Sequence, residues 1–550
     1  MNKTTLFALI LIALILGPSF FINSGFFSFL DTVFYPIYDI SYNFEQSLYF
    51  YGKDILSYIV GYELLSKIFL FWTLSTWAYL WYKISQFILE YLDIKDKKLN
   101  FIIPILWIVF TLYNPFIYER LVTQVDIALW IFTIWLAFYH LLEYLKQEKS
   151  KYFYLSALFL SLSVSIFPHS LIFIIIIWIA FLIFFIKKIK IIPLLLAWIL
   201  FTLINIHLFA LFFQLWSNQI LSATEKFNYQ NVEAFQQNAL SGLWVDITSL
   251  LLYGFWGERG ERIFLPEKVN EYWYIFGFII LIIIFYWIYI SFKKSKKITW
   301  FLLTIWVLSY ILALGISSNI FWFFSHFLYE NIPYYIGMRE PGKLLGMVAI
   351  IYTFFFLIGN IFIIQKATEW MKNQQIIFHP YLQNSYTYCA LIIFIILSWS
   401  PNMLFWFNGQ LKIIKYPVEY LEARNILWAE NDEKNLVLPW HAYMWCAWNY
   451  GKIISNTMPA ILDWKQTISA ENLEMWTLYS NTKTPLTDDI ENFISTQDVS
   501  YLKKNNIKNI IFQKNCWAFM RYSFLSEIPE LKSIYNKPQL EIFQIQYDKK

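Results

Sequence analysis

Two aspartates and a compact basic cluster are the residues of this chain best suited to chemistry. Asp31 stands about ten positions beyond the first hydrophobic run, in Phe29-Leu30-Asp31-Thr32-Val33-Phe34-Tyr35-Pro36-Ile37-Tyr38-Asp39. A carboxylate among apolar neighbours is costly unless it has a partner or a role. Partial desolvation also lifts its pKa toward the range useful to a general base. Asp39 is the second acid of this segment; Glu45, Asp54 and Glu63 behind it read as solvated loop charge. The basic cluster is Gly337-Met338-Arg339-Glu340-Pro341-Gly342-Lys343, directly before a long apolar stretch. Arg339 and Lys343 at the start of a helix resemble an anion cradle for a phosphate or pyrophosphate, with Glu340 between them. The plainer reading is headgroup snorkelling by two basic side chains.

Three further places carry polar groups at the ends of apolar runs. Tyr113-Asn114-Pro115-Phe116-Ile117-Tyr118-Glu119-Arg120, followed by Gln124, either caps and turns the chain or sets Arg120 over a cavity mouth. Pro168-His169 marks another such turn, where a satisfied loop histidine is the simpler alternative to a substrate contact. Gly254-Phe255-Trp256-Gly257-Glu258-Arg259-Gly260-Glu261-Arg262 fits a re-entrant hairpin, an acceptor-binding loop or a surface turn. No Gly-rich phosphate loop of Walker type is present, which argues against coupling to ATP.

The elements that must position these residues are membrane helices. Of 550 residues, 58% are hydrophobic and only 15% charged, with a mean hydropathy of +0.48; soluble domains carry about a quarter charged residues. A net charge of +4 is too small to imply nucleic acid. Spanning runs recur at 4–22, 64–89, 101–113, 126–145, 152–167, 169–186, 191–213, 272–291, 299–316, 344–364 and 386–400, about eleven in all. The first lacks a cleavage site and reads as a retained helix. Lys3, Lys95 to Lys98, Lys146 to Lys151, Lys187 to Lys190, Lys293 to Lys297 and Lys366 to Lys372 all fall on one side. By the positive-inside rule that side is cytoplasmic, which puts the N-terminus inside the cytoplasmic membrane and the C-terminus outside. The outer side then holds 23–63, 214–271, 317–343 and everything after 401.

Residues 401–550 change character and read as a small extracytoplasmic α/β domain beside the membrane domain 1–400. An amphipathic helix is predicted over 416–431, strands over 435–439, 508–513 and 540–545, and a helix over 497–505. Cys446 and Cys516 either pair in an oxidising compartment or stay as two thiols.

Taken in order along the chain, the acidic first outer loop, Asn114 to Arg120 with Gln124, Leu252-Tyr253-Gly254-Phe255-Trp256, and Arg339 to Lys343 resemble GT-C-class membrane proteins. The nearest likeness is to the membrane region of the alpha-(1→3)-arabinofuranosyltransferase family and its uncharacterised relatives, over roughly residues 1–400. That resemblance implies sugar transfer from a polyprenyl-phosphate donor to a cell-envelope glycan or glycoconjugate acceptor on the outer face. It makes Asp31 the base, with Asp39 beside it, and gives Arg339, Lys343 and Arg120 to the lipid phosphate. Glu119, Gln124, His169, Glu340 and Trp256 would then line the substrate site. The first outer loop has no Asp-x-Asp or Glu-x-Asp pair. No metal ligands are therefore assigned, and the cofactor stays open, a divalent cation included. The alternative is a polyprenyl-linked glycan transporter or a non-catalytic glycan-binding assembly protein. A transporter should carry charge through mid-membrane, whereas the polar residues here gather at span ends.

Overall fold

The structure is a computed structural model that describes residues 3–17, 26–28, 48–96, 99–188, 190–206, 229–258, 263–294, 296–332, 335–373, 385–428, 434–450, 452–462, 467–470, 473–475, 478–480 and 484–547. Among these, five helices are long and apolar enough to cross a membrane: Val125–Gln147, Ser170–Lys188, Trp273–Lys293, Lys296–Ser317 and Pro341–Lys366. Two bent pairs, Gly52–Val60 with Tyr62–Tyr91 and Leu99–Leu112 with Pro115–Thr123, raise the number to seven if each counts as one span. Four shorter apolar helices accompany them: Leu6–Leu16, Ser150–Ile166, Ile191–Ile204 and Tyr386–Trp399. The protein is thus polytopic and built for a membrane.

Both bends have local causes. The 118° break between the first pair falls at Gly61, whose φ of +81° lies in the region that favours glycine. The 51° break falls at Asn114-Pro115. Proline disfavours helix in the residue before it, yet suits the first position of a new helix. Asn114 supplies the cap: its Oδ1 accepts from the Phe116 and Ile117 backbone N–H groups at 2.9 and 3.4 Å.

An indole cluster locks the centre of the bundle. Trp81 packs on Trp107 and Trp135 at 5.0 and 4.0 Å, Trp77 stacks on Trp135 at 5.1 Å, and Trp107 Nε1 donates to the Thr353 carbonyl at 2.7 Å. Helices Tyr62–Tyr91, Leu99–Leu112, Val125–Gln147 and Leu345–Asn373 meet there. Packing and interhelical hydrogen bonds of this kind must hold the bundle, since lipid offers no hydrophobic drive between helices.

The C-terminal part carries a five-stranded mixed sheet. Its middle strand, Ile507–Gln513, runs parallel to Lys434–Leu438 and antiparallel to Leu540–Ile545; Thr467–Ile468 and Leu531–Asn536 form the edges. Alternate residues feed two cores. Leu436, Leu438, Ile510 and Phe512 pack with Ile490 and Phe493 on one face, while Val437, Ile511 and Ile542 pack with Tyr420 and Ile461 on the other. Burial on both faces explains the consecutive apolar residues Leu436-Val437-Leu438 and Ile510-Ile511-Phe512 in these strands. Cys446 and Cys516 form a disulfide, their Cα atoms 3.9 Å apart. The C-terminal region touches earlier parts of the chain. Phe26–Ser28 pairs antiparallel with Lys412–Ile414, and Tyr443 lies 6.4 Å from the Trp256 ring.

Candidate functional site

The break at Asn114-Pro115 turns a spanning helix into the short helix Pro115–Thr123, every residue of which is buried. Glu119 and Arg120 therefore sit inside the protein, at the end of the bundle where the chain also turns at His169, Gly254 and Glu340. Arg120 is 1% exposed. Its Nη1 donates to Glu340 Oε1 at 2.6 Å and also to Gln124 Oε1. Phe255 and Phe116 cover its guanidinium, with ring centroids 4.4 and 5.2 Å away. Gln124 Nε2 in turn reaches Glu340 Oε2 at 3.5 Å.

Glu340 is the hub of this arrangement. Lys343 Nζ lies 2.7 Å from its Oε2, opposite Arg120 on Oε1. Burial alone would raise the Glu340 carboxyl, but Lys343 and then Arg120 outweigh it and hold the group down at about 2. Two cations facing one carboxylate leave a positive excess, and Arg339 adds to it, its guanidinium over the Phe235 ring at 4.7 Å. Lys343 lies over Phe167 at 4.5 Å. His169 closes that flank: it stacks on Phe167 at 4.5 Å, and its Nε2 lies 2.8 Å from the Gly337 carbonyl. Burial and the charge of Lys343 push the ring down to about 4, so it is neutral at pH 7. Because a carbonyl only accepts, Nε2 carries the proton.

A second polar layer was not foreseen from the residue pattern. Glu258 is buried beside Glu119, at 3% and 1% exposure. Their carboxyls are within hydrogen-bonding reach of each other, while Glu119 Oε1 and Glu258 Oε2 have no donor partner. Two buried carboxyls this close cannot both be ionised, so at least one of them is protonated. Burial holds the Glu258 carboxyl up at about 8, and the Gly254 backbone N–H donates to its Oε1 at 3.3 Å. Gln236 and Gln237 form the roof. Gln236 Oε1 accepts from the Ile316 N–H at 2.8 Å. Gln237 lies so close over Gly342 that a Cβ there would come within 2.1 Å of its Nε2. Only the Gly254–Gly257 stretch hinted at Glu258; Gln236 and Gln237 carried no local signal.

The structure thus brings Arg120, Gln124, Glu340, Lys343 and His169 into one connected cluster, with Arg339, Glu119 and Trp256 at its edges. Trp256 is buried and packs edge-on against Phe235 at 5.0 Å. Asp31 and Asp39 lie outside the described residues. Phe26–Ser28, which precedes them in the chain, is held against Lys412–Ile414. Among the described residues, no group of three or more His, Cys, Asp or Glu side chains is placed to hold a metal ion.

No family model matches the chain, and no curated protein matches it by sequence. Solved structures do. The cryo-EM structure of arabinofuranosyltransferase AftD from Mycobacteria aligns with 100% of this chain and 42% of its own, at 10% identity and a TM-score of 0.52. Archaeal oligosaccharyltransferase AglB from Archaeoglobus fulgidus, solved with an inhibitory peptide and a dolichol-phosphate, aligns with 93% of this chain and 65% of its own, at 11% identity and a TM-score of 0.44. The chain therefore spans less than half of the AftD chain, and the likeness to it is one of fold: a GT-C-like membrane architecture.

Proposed function

We propose that this protein is a GT-C-type glycosyltransferase that moves a sugar from a polyprenyl-phosphate donor to a cell-envelope glycan or glycoconjugate on the outer face of the cytoplasmic membrane. The observation that carries this reading is the Arg120–Glu340–Lys343 cluster, an ion network with excess positive charge built into one end of a GT-C-like fold. Electrostatic groups fixed in advance at the place where charge develops are a strong source of catalysis.

In this mechanism Asp31 takes the proton of an acceptor hydroxyl, and Asp39, eight positions on in the sequence, is the second candidate acid. The hydroxyl oxygen forms a bond to the anomeric carbon. The bond from that carbon to the phosphate oxygen breaks, and its electron pair stays on the leaving lipid phosphate. Lys343 and Arg339 face that anion. Arg120, enclosed by two phenylalanines, acts as a positioning residue that fixes Glu340 and through it Lys343. Gln124, His169, Glu119 and Trp256 shape the walls, and the neutral His169 adds no charge of its own beside Lys343. A divalent cation at the first outer loop is compatible with this scheme and is not required by it.

Eleven spans follow when the four shorter apolar helices are counted with the seven long or bent ones. The membrane domain is then 1–400 and the outer domain 401–550. An outward-facing C-terminal region is supported by the Cys446–Cys516 disulfide, a bond of oxidising compartments. The glycan-transporter alternative needs charged groups through mid-membrane, and the network described here lies at one end instead.

The test is transfer itself. Purified wild-type chain, given polyprenyl-phosphate sugars and envelope glycan acceptors, should form a glycosidic product. Asp31→Asn should lower the rate by at least about 100-fold while leaving expression intact. Equal turnover by Asp31→Asn would overturn the assignment of the base, and no turnover by the wild type with any such donor would overturn the reading as a transferase.

A further inference from the structure

A second polar–apolar site lies at the opposite, basic end of the bundle. There a cavity of about 350 Å³ opens between helices Tyr62–Tyr91, Val125–Gln147, Trp273–Lys294, Lys296–Leu314 and Leu345–Asn373. Its walls are hydrocarbon, including Leu142, Leu302, Phe355, Ile358 and Phe362, and Tyr91 at the rim is exposed. Three lysines from three different connections converge on it: Lys146, Lys188 and Lys297.

The lysines at this mouth are only partly engaged. Lys146 reaches Glu90 at 3.7 Å and Lys188 reaches Glu148 at 2.8 Å, while Lys297 rests over the Phe185 ring at 4.7 Å. Lys297 has no ion pair among the described residues, and the two pairs are part-exposed rather than sealed as at Glu340. A separate observation points the same way. Ser291 lines the cavity, is 6% exposed, and its hydroxyl has no hydrogen-bond partner. A serine on a membrane helix usually finds an acceptor nearby, so a buried, unpartnered one facing a cavity suits a ligand oxygen.

We propose that this cavity binds an anionic phospholipid of the leaflet at the basic end. The phosphate is held by Lys146, Lys188 and Lys297, an ester or phosphate oxygen meets the Ser291 hydroxyl, and acyl chain fills the slot against Leu302, Ile358 and Phe362. Charge complementarity selects the headgroup, and the apolar walls require an amphiphile rather than a free anion. The site shares no residue with the Glu340 cluster, so it stands or falls independently of the transfer reaction.

Native mass spectrometry of the full-length protein, released from mixed micelles of phosphatidylglycerol and phosphatidylcholine with identical acyl chains, tests this directly. Phosphatidylglycerol should be retained over phosphatidylcholine. The combined Lys146→Gln, Lys188→Gln and Lys297→Gln variant should lose that preference by at least about tenfold. Ile358→Trp, which fills the slot and leaves the lysines, should lose the lipid as well, while millimolar inorganic phosphate should not displace it from the wild type. Equal retention of both lipids, undiminished retention by either variant, or displacement by inorganic phosphate would each overturn the proposal.

Discussion

The two ends of the membrane region use the same residue types to opposite effect. At one end Arg120, Glu340 and Lys343 are sealed from solvent, and each charge is fixed by a named partner. At the other, Lys188–Glu148 and Lys146–Glu90 pair at the surface around an open cavity. Coulombic attraction grows as the surroundings lose water, but so does the cost of leaving any member unpaired. The sealed end is therefore rigid and intolerant of substitution. The open end is forgiving and salt-screened, suited to exchangeable lipid.

The largest expected difference comes from removing the hub. Glu340→Ala leaves Arg120 and Lys343 buried without their carboxylate and should cost about 3–5 kcal/mol in a reversible unfolding assay in detergent. Replacing Arg120, Glu340 and Lys343 together by Met, Leu and Met should cost far less, because no lone buried charge remains. Equal losses for the single and triple variants would contradict the network. At the open end Lys188→Ala should leave the melting temperature essentially unchanged, and a loss as large as that of Glu340→Ala would erase the contrast between the ends.

Smaller effects depend on pH. The Glu258 carboxyl is raised from 4.5 to about 8, so its contribution is fully present below about pH 4.5 and is lost as pH rises through 8. Glu258→Gln mimics the protonated acid and should flatten that alkaline decline in a melting-temperature profile. An unchanged profile would rule out a protonated Glu258. His169 has the opposite sign. Its pKa is lowered from 6.5 to about 4, so its contribution is present above 6.5 and fades as pH falls toward 4. His169→Gln should remove that acid-side sag, a slighter change to be read from the same profiles. The smallest signal concerns sidedness. In intact cells Cys446 and Cys516 should resist a membrane-impermeant maleimide until a reductant is added outside, and labelling without reductant would contradict the outward disulfide.

Much of the architecture was legible because lipid imposes a simple rule: long apolar runs must be helices. The runs at 64–89, 126–145 and 344–364 correspond to helices Tyr62–Tyr91, Val125–Gln147 and Leu345–Asn373. The strands expected at 435–439, 508–513 and 540–545 lie side by side in the sheet, their short apolar stretches buried on both faces. Leu48–Val60 was missed because Lys53 and Asp54 made it look like loop. In the last region, helix Pro485–Thr496 was missed beside the predicted 497–505, of which Ser500–Lys504 is helical. The site was legible only in its basic parts. Arg339, Lys343 and Arg120 were conspicuous as rare cations, but the role of Glu340 in joining them depends on a contact between residues 220 positions apart. The partnership of Glu119 with Glu258, and the clamp of Gln237 on Gly342, are likewise long-range and leave no periodic trace.

If the Glu340 end of the protein receives a lipid-borne phosphate, that phosphate should be visible there. The most direct measurement is a cryo-EM structure of the full chain with bound polyprenyl phosphate. Phosphate density should lie within ion-pair distance of Lys343 and Arg339. Phosphate lodged instead among Lys146, Lys188 and Lys297, or a continuous polar passage joining the two ends, would contradict it.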